Sequence, residues 1–423
     1  LPKNKLGIDK ENEFEPQYII SADKTKIVKE LKDATKEAEI VWLATDEDRE
    51  GEAIAWHLYE TLNLKNKQNK RIAFHEITKE AINRAVENPR EINFNLVNAQ
   101  QARRVMDRLV GYELSELLWK KVKGAMSAGR VQSVAVKLIV EKEEEINKFE
   151  SDKYFKITAL IEFSDKKGEK YSLKSEISDK IKKKEEAYKI LENFAKSEFK
   201  VIDIKQKDGT RKPAPPFTTS TMTQAASRLF SWSAKKTMSI AQRLYEEGLI
   251  TYHRTDSVNV SKEAIDKVRK YIEKEFGEKY LPQKANYYKL KAKLVQEAHE
   301  AIRPTNLSAK VEIKETKFAG GSERLYQLIW KRFVASQMSS AKIEETTISV
   351  EAMKNTNKYL LKTSGQVIKF DGWRKVWGGN LSDDVILPDV AVGENLDILK
   401  VDLEKKQTLP PARYTEASLI KML

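Results

Sequence analysis

Carboxylates at alternate positions follow an apolar stretch near the N-terminus. Asp46, Asp48 and Glu50 lie in ATDEDREGEAIAWH, directly after the β-rich segment AEIVWLAT. Alternate side chains of an extended backbone share one face, and carboxylates on one face repel one another unless a cation neutralises them. Mg²⁺ is usually held by one or two carboxylates together with water and phosphate. A magnesium site and an acidic helix N-terminus stabilised by the helix dipole both fit this spacing.

A tyrosine followed by an arginine is the second candidate for chemistry. Tyr252 and Arg254 lie in GLITYHRTDS, in which LITY predicts a short strand. A phenol with a pKa of about 10 is a poor nucleophile at neutral pH. A nearby cation favours the phenolate and stabilises charge on an attacked phosphate. The chain has 15 tyrosines, so packing or ordinary hydrogen bonding is the alternative role for Tyr252.

Basic residues in two segments suit contact with phosphate groups. Arg130 follows Gly129 in MSAGRVQSVAV, where backbone amides and a guanidinium can bind a phosphate. Arg104 and Arg108 are four residues apart in NAQQARRVMDRLVGY and share one face of the predicted helix. Lys120 in LLWKKV is a further candidate. An ordinary connecting loop and a solvated helix face are the alternative interpretations.

The flanking patterns predict the elements that must position the acidic segment and the basic residues. Residues 38–63 and the segment RIAFHEITKEAINRAVEN each predict a strand followed by a helix, the second with Thr78 as its N-cap. Strand and helix in alternation favour a parallel α/β sheet. Residues 93–150 predict helices interrupted by the loop KGAMSAGR.

Two β-rich stretches enclose a helical region that contains the tyrosine. KYFKITALIEF and YSLKSEI predict strands from about residue 151, and TISVEAM, YLLKTSGQVI and LDILKVDLEKKQTL predict strands after about residue 340. We expect them to complete one sheet around the helices FTTSTMTQAASRLF and AKKTMSIAQRLYEE, which are joined near Ser231 and end at Gly248. KIKKKEEAYKILENFAK predicts an exposed helix or connector, and the prolines of RKPAPPF predict a boundary.

Composition favours a polyanionic partner and excludes several kinds of site. Lys and Arg outnumber Asp and Glu by 77 to 64 among 423 residues, giving a net charge of +13. Such an excess favours a phosphate-rich partner, although a merely basic protein has the same charge. The chain has no cysteine, which excludes disulfides and cysteine-based zinc sites within it. No apolar run is long enough to predict a membrane span.

Together these segments resemble the signatures of bacterial type IA DNA topoisomerases. ATDEDREGEAIAWH resembles the DxDxE segment of the Toprim domain, and GLITYHRTDS resembles the active-site signature GxITYxRTDS. SAGRVQSVAV, NAQQARRVMDRLVGY and QEAHEAIRPT also resemble family segments, in family order and over nearly the whole chain. SAGRVQSVAV and PAPPFTTSTM resemble the topoisomerase I branch more than topoisomerase III.

The resemblance implies a role for each matching residue. Tyr252 would be the nucleophile that forms a 5′-phosphotyrosine, Arg254 would hold the scissile phosphate, and His299 would contact a phosphate or share its proton. Glu50 would act in catalysis and would join the metal ligands Asp46 and Asp48 at a Mg²⁺ ion. The implied DNA-binding residues are Arg103, Arg104, Arg108, Lys120, Ser127, Ala128, Gly129, Arg130, Val131, Gln132 and Arg254. The implied supporting residues are Asp107, Gln242, Glu246 and Asp256.

The implied fold is a multidomain torus that combines a Toprim α/β domain, winged-helix-like helical domains and β-rich arches. The expected domains are a Toprim domain at 1–92, a helical DNA-groove domain at 93–150 continued by 406–423, β-rich arches at 151–210 and 340–405, and a helical domain bearing the tyrosine at 211–339. The implied reaction cleaves one DNA strand, passes the other and reseals the break without ATP, relaxing negative supercoils. The protein would be a cytoplasmic, nucleoid-associated monomer that prefers single-stranded or negatively supercoiled DNA.

The chain departs from the family pattern at both ends. No segment like VESPAKAK, with its first-strand glutamate and lysine, precedes the acidic segment. The last part of the DNA gate and any zinc-ribbon tail also lack a counterpart. We therefore expect both ends to be cuts through a longer protein and these residues alone to fail in full relaxation cycles. A single-strand-binding fragment without catalysis and a Toprim metal-dependent nuclease or primase are the alternative functions.

Overall fold

The computed structural model describes residues 1–122, 126–164, 170–177, 181–194, 196–289, 300–308, 321–378, 387 and 390–423. The helices are α1 (Thr25–Glu37), α2 (Arg49–Thr61), α3 (Lys79–Glu87), α4 (Phe94–Lys121), α5 (Arg130–Asn147), α6 (Lys184–Phe194), α7 (Thr219–Phe230), α8 (Ala234–Glu246), α9 (Lys262–Phe276), α10 (Ser322–Ser336), α11 (Arg374–Trp377) and α12 (Glu416–Met422). The strands are β1 (Ile8–Asp9), β2 (Glu15–Pro16), β3 (Val41–Leu43), β4 (Asn69–Arg71), β5 (Lys153–Ser164), β6 (Lys170–Ile177), β7 (Glu198–Arg211), β8 (Ala341–Lys354), β9 (Asn357–Phe370) and β10 (Asn395–Gln407). None of the helices that the structure describes is long and apolar enough to cross a bilayer.

A short parallel sheet organises the N-terminal unit, which we define as residues 1–92. β3 and β4 pair in parallel with α2 between them, so the predicted α/β pattern is confirmed. Each strand has only three residues, fewer than the apolar segments suggest, because the chain turns into loops after Leu43 and Arg71. Thr78 caps α3, as its sequence predicts, by accepting a hydrogen bond from the amide of Ala81.

A closed six-stranded barrel joins the two β-rich stretches. Its strand order is β10-β5-β6-β9-β8-β7, with antiparallel neighbours throughout. The prediction that the two stretches complete one sheet is therefore confirmed. The helix predicted at α6 is confirmed, but it is exposed on one face only, because Ala187, Ile190 and Phe194 recur at helical spacing and are buried in the barrel core.

A helical unit, formed by α7 to α11, contains the largest core and the candidate tyrosine. Ser231 adopts a left-handed conformation (φ 55°) between α7 and α8, and Gly248 (φ 69°) follows α8, as the sequence predicts. The predicted strand LITY is wrong. Its backbone bonds to two different segments and not to one neighbouring strand: the amide of Thr251 donates to the carbonyl of Arg303, and that of Tyr252 donates to the carbonyl of His75.

The segment from Glu300 to Pro304 is also not helical where the structure describes it, contrary to the helix predicted before Pro304. The amides of Ala301 and Ile302 donate to the carbonyls of Asn259 and Phe217, which draws this segment into the core of the helical unit. The described part of QEAHEAIRPT is therefore an extended segment that supports the loop between α8 and α9, residues 247–261, which contains Tyr252 and which we call the tyrosine loop.

A buried ion pair fixes the junction between the sheet and α2. Glu52 on α2 and Arg71 at the end of β4 are 0% and 1% exposed, and their closest charged atoms are 3.1 Å apart. Arg90 and the amide of Asn93 also donate to Glu52, each at 2.7 Å. Burial raises the pKa of Glu52, but the hydrogen bonds from Arg90 and Asn93 and the charge of Arg71 outweigh it, so the pKa lies below its ordinary value.

We predict that Glu52→Gln lowers the free energy of unfolding of the N-terminal unit by about 3–5 kcal/mol, because it leaves Arg71 as an uncompensated buried charge. Urea unfolding, with hydrogen exchange to locate the change in α2, measures this loss. Since the pKa of folded Glu52 is lowered, its contribution is complete above the ordinary carboxylate range and disappears as the pH falls below it. Glu60→Gln, an exposed change on the same helix, is the control. Equal stability of the two variants contradicts the prediction.

Candidate active site

The acidic loop, residues 44–48, connects β3 to α2. Asp48 is the N-cap of α2, and its Oδ1 accepts a hydrogen bond from the amide of Gly51 at 2.8 Å. The extended geometry expected for the three carboxylates therefore ends at Asp48, and Glu50 lies in the first helical turn. A Cβ on Gly51 would lie 2.1 Å from the carbonyl oxygen of Asp46. Only glycine allows α2 to approach the loop this closely.

The buried guanidinium of Arg71 binds the backbone of the acidic loop. Its guanidinium donates to the backbone carbonyls of Leu43, Thr45 and Asp46 at 3.1, 2.8 and 2.7 Å, in addition to its bonds with Glu52. The loop conformation consequently depends on a buried cation. Sequence reasoning missed this role, although an arginine beginning the apolar segment RIAFHEI is a detectable signal of a buried, partnered charge.

Tyr252 reaches the acidic loop from the helical unit. Its side chain is buried, and its hydroxyl donates to Oδ2 of Asp48 at 2.7 Å. Burial raises the pKa of Tyr252 well above its ordinary value, and the hydrogen bond and charge of Asp48 raise it further. Arg254 lowers the pKa by less. Arg254 therefore acts in the expected direction, but burial and Asp48 outweigh it, and the phenol keeps its proton in this arrangement.

A second tyrosine forms a parallel contact with the same loop. The hydroxyl of Tyr245 donates to Oδ1 of Asp46 at 3.3 Å, and its ring meets that of Tyr252 edge to face with 5.1 Å between centroids. Burial and the nearby charge of Asp48 raise the pKa of Asp46 above its ordinary value. Sequence reasoning did not single out Tyr245, because its position on α8 carries no signal apart from membership of the apolar face.

The acidic loop, α8 and the tyrosine loop enclose a cavity of about 450 Å³. The sequence-predicted residues that line it are Asp46, Asp48, Glu50, Gln242, Glu246, Tyr252 and Arg254. Arg254 is half exposed and contacts Glu50 at 3.2 Å, while Gln242 donates to Glu246 at 2.8 Å. The cavity therefore combines a phenol hydroxyl, carboxylates and a solvent-accessible guanidinium.

The carboxylates of this cavity are not gathered into one preformed cluster. Over the described residues, no group of three acidic or histidine side chains is arranged to hold a metal ion. Asp46 and Asp48 each accept a tyrosine hydroxyl, and Glu50 turns towards Arg254. Of the three carboxylates predicted to bind a metal together, Asp46 and Asp48 are therefore neighbours, whereas Glu50 is directed to Arg254.

His253 also lines the cavity, although sequence analysis assigned it no role. Its side chain is 1% exposed, and burial lowers its pKa to about 4, assisted by the charge of Arg254. The imidazole is therefore neutral at physiological pH.

Of two other residues that the sequence predicts for the site, His299 is outside the described residues, and Asp256 is exposed and does not line the cavity.

Several contacts around the tyrosine join the helical unit to the N-terminal unit. The amide of Tyr252 donates to the carbonyl of His75 at 2.8 Å, and Arg303 contacts Glu76 at 2.9 Å. A Cβ on Gly248 would lie 2.4 Å from the carbonyl oxygen of Ile77. Tyr252 and the acidic loop therefore meet at a close interface between two parts of the chain.

The predicted DNA-binding residues cluster on α4, the following loop and the start of α5. α4 packs along α2, whose N-terminus carries the acidic loop. Asp107 contacts Arg130 at 2.8 Å and Arg103 at 3.9 Å, which links α4 to α5. Arg108 donates to the carbonyl of Pro2 and to the hydroxyl of Tyr112.

The remaining predicted DNA-binding residues are accessible to a ligand. Arg104 is exposed and forms no ion pair within the described part of the chain. Lys120 pairs with Glu116 at 2.6 Å on the surface of α4. The other members lie in the loop or the first turn of α5 and are exposed or half-buried: Ser127, Ala128, Gly129, Val131 and Gln132.

Comparison with known proteins agrees with this arrangement. Residues 91–423 match a family model described as DNA topoisomerase, and residues 5–77 match the Toprim domain. DNA topoisomerase 1 of Vibrio cholerae is 47% identical over 99% of this chain and 48% of its own length. The Campylobacter jejuni relative of the same name is 46% identical over 100% of this chain and 61% of its own length.

A solved structure extends the comparison to the fold. Full-length topoisomerase I from Thermotoga maritima matches with a TM-score of 0.84 and 40% identity, covering 100% of this chain and 69% of that chain. This chain spans between about half and three fifths of the two curated relatives. The acidic loop lies within the Toprim match, and the tyrosine loop within the topoisomerase match. The chain belongs to the bacterial type IA DNA topoisomerase family.

Proposed function

We propose that this chain forms the cleavage centre of a DNA topoisomerase that breaks and reseals one strand through Tyr252, passes the other strand and relaxes negative supercoils without ATP. The observation that carries the proposal is the contact of 2.7 Å between the Tyr252 hydroxyl and the Asp48 carboxylate, inside a cavity that also presents Arg254. The names of the relatives support it. A nuclease or primase using the carboxylates alone would leave this tyrosine contact without a use.

The geometry supports a role for Asp48 in moving the tyrosine proton. As the phenol oxygen attacks the phosphorus, its proton passes to the carboxylate that already accepts its hydrogen bond. The new bond joins Tyr252 to the 5′-phosphate, and the bond to the 3′-oxygen breaks; that oxygen takes a proton from water, and Asp48 returns the tyrosine proton to water. Resealing reverses these steps. Because the phenol is strongly disfavoured as a free phenolate, proton transfer during attack fits this site better than ionisation before attack.

Arg254 is suited to hold the scissile phosphate. Its guanidinium is half exposed and is paired only loosely with the exposed Glu50 at 3.2 Å. A surface ion pair of this kind contributes little stability, so a phosphate can replace Glu50 at low cost. A guanidinium that binds two phosphate oxygens also stabilises the charge that develops there.

Mg²⁺ is the cation that this site suits. Burial and mutual repulsion raise the pKa of Asp46 beside Asp48, and a hard divalent cation would relieve that repulsion. We propose that Asp46 and Asp48 hold the ion and that Glu50 joins them when Arg254 turns to phosphate. The bound ion would supply positive charge beside the phosphate and the 3′-oxygen.

The DNA strand is proposed to run along α4 and the loop before α5. Net charge of +13 and the basic residues of this surface favour a single strand or negatively supercoiled DNA. The expected domain limits and His299 as a phosphate contact remain parts of the same proposal. We propose in addition that the enzyme is a monomer that works in the cytoplasm with the nucleoid.

We predict that Tyr252→Phe abolishes covalent attachment to single-stranded DNA and changes the dissociation constant for DNA by less than about threefold, since only one hydroxyl oxygen is removed. Denaturing gels with a labelled oligonucleotide measure attachment, and fluorescence anisotropy measures binding. Tyr280→Phe is the matched control, because Tyr280 is similarly buried, interacts with an aspartate and lies outside the cavity. A covalent adduct with Tyr252→Phe disproves the assignment.

We predict that single-stranded DNA binds more tightly than duplex and that its affinity falls steeply between about 50 and 200 mM salt. Arg104→Gln should reduce the slope of log affinity against log salt by about 0.7, the value for one phosphate contact to a single strand. Lys274→Gln, on the exposed surface of α9, is the charge-matched control and should leave the slope unchanged. Equal slopes for wild type and Arg104→Gln count against this DNA path.

A further inference from the structure

Tyr245 contacts a proposed metal ligand through its side chain, but the cleavage reaction described above gives its hydroxyl no role. It lies near the end of α8, in the core of the helical unit, and is 2% exposed. Its hydroxyl reaches across the interface to the acidic loop, whereas its ring supports the ring of Tyr252. A buried hydroxyl aimed at a carboxylate in another part of the chain requires an explanation.

The backbone of Asp46 is fixed without any help from Tyr245. Arg71 donates to its carbonyl oxygen at 2.7 Å, and α2 closes against the same oxygen at Gly51. Its carboxylate is held differently. Within the described residues, the Tyr245 hydroxyl is the hydrogen-bond donor that reaches it, at 3.3 Å. The direction in which the Asp46 side chain points therefore depends on Tyr245.

Asp48 has a different set of partners. Its Oδ1 accepts the Gly51 amide, so this carboxylate remains oriented by the backbone when Tyr252 leaves it to attack a phosphate. Asp46 has no such backbone donor in the described structure. The two tyrosine–aspartate pairs consequently differ: the pair at Asp48 must break during cleavage, while the pair at Asp46 can persist.

We infer that Tyr245 is a positioning residue that orients Asp46 for a divalent cation throughout the cleavage and resealing cycle. The inference rests on the proposed function and adds a residue of the helical unit to a site whose ligands belong to the N-terminal unit. Partners that orient a metal ligand typically change metal affinity when they are removed. Metal affinity would then depend on contact between the two units, since separating them withdraws the Tyr245 hydroxyl from Asp46.

The test uses the 423-residue chain and Mn²⁺ as a spectroscopic substitute for Mg²⁺. Tyr245→Phe removes the hydroxyl and keeps the ring against Tyr252. Its Mn²⁺ dissociation constant, measured by electron paramagnetic resonance without DNA, should rise on the order of tenfold. Tyr326→Phe is the matched control, because Tyr326 is 1% exposed in the same core and donates to the carbonyl of Asn306. It should bind Mn²⁺ as the wild type does.

The outcomes separate this inference from the proposed function. Covalent attachment to single-stranded DNA is scored in the same preparations. If Tyr245→Phe binds Mn²⁺ as tightly as the wild type while attachment persists, the role of Tyr245 is refuted and the proposed function stands. If the wild type binds no more Mn²⁺ than Asp46→Ala does, both the positioning role and the metal site are refuted. If the wild type forms no covalent adduct, the proposed function itself fails.

Discussion

A buried guanidinium fixes the part of the chain on which the candidate site depends. Arg71 lies at the end of β4, forms an ion pair with Glu52 on α2 and donates to the carbonyls of the acidic loop. The ion pair compensates the cost of burying both charges only because hydrogen bonds satisfy the remaining atoms. Removing either charge would therefore disturb the sheet, the helix and the loop together. The positions of Asp46 and Asp48 follow from this arrangement.

The interface between the two units gives each acidic residue a different protein partner. Asp48 receives the hydroxyl of Tyr252, and Asp46 receives that of Tyr245. Burial keeps the phenols protonated and raises the pKa of Asp46. The interface therefore keeps the phenol of Tyr252 protonated beside a carboxylate. In the proposed reaction, Tyr252 attacks a phosphate held by Arg254 without prior ionisation.

Much of the secondary structure and several candidate residues of the site could be predicted from local sequence patterns. Helix periodicity, the N-cap Thr78 and the junction near Ser231 predicted several elements, and the segments around Asp46 and Tyr252 predicted candidate residues of the site. The predicted strand at Tyr252 is wrong because its amides bond to two different segments, at His75 and at Arg303, and not along one neighbouring strand. The roles of Arg71 and Tyr245 also depend on long-range contacts, 19 residues apart for Arg71–Glu52 and 199 for Tyr245–Asp46. Periodicity and spacing do not encode contacts of this kind.

The central claim is that Tyr252, oriented by Asp48, becomes joined to the 5′ end of a cleaved strand. The most direct measurement is mass spectrometry of the peptide that remains attached to a defined single-stranded oligonucleotide after denaturation and proteolysis. The account predicts one modified residue, Tyr252, linked through its phenol oxygen to a 5′-phosphate, together with a fragment ending in a free 3′-hydroxyl. Attachment at another residue, or a link to a 3′-phosphate, would contradict it.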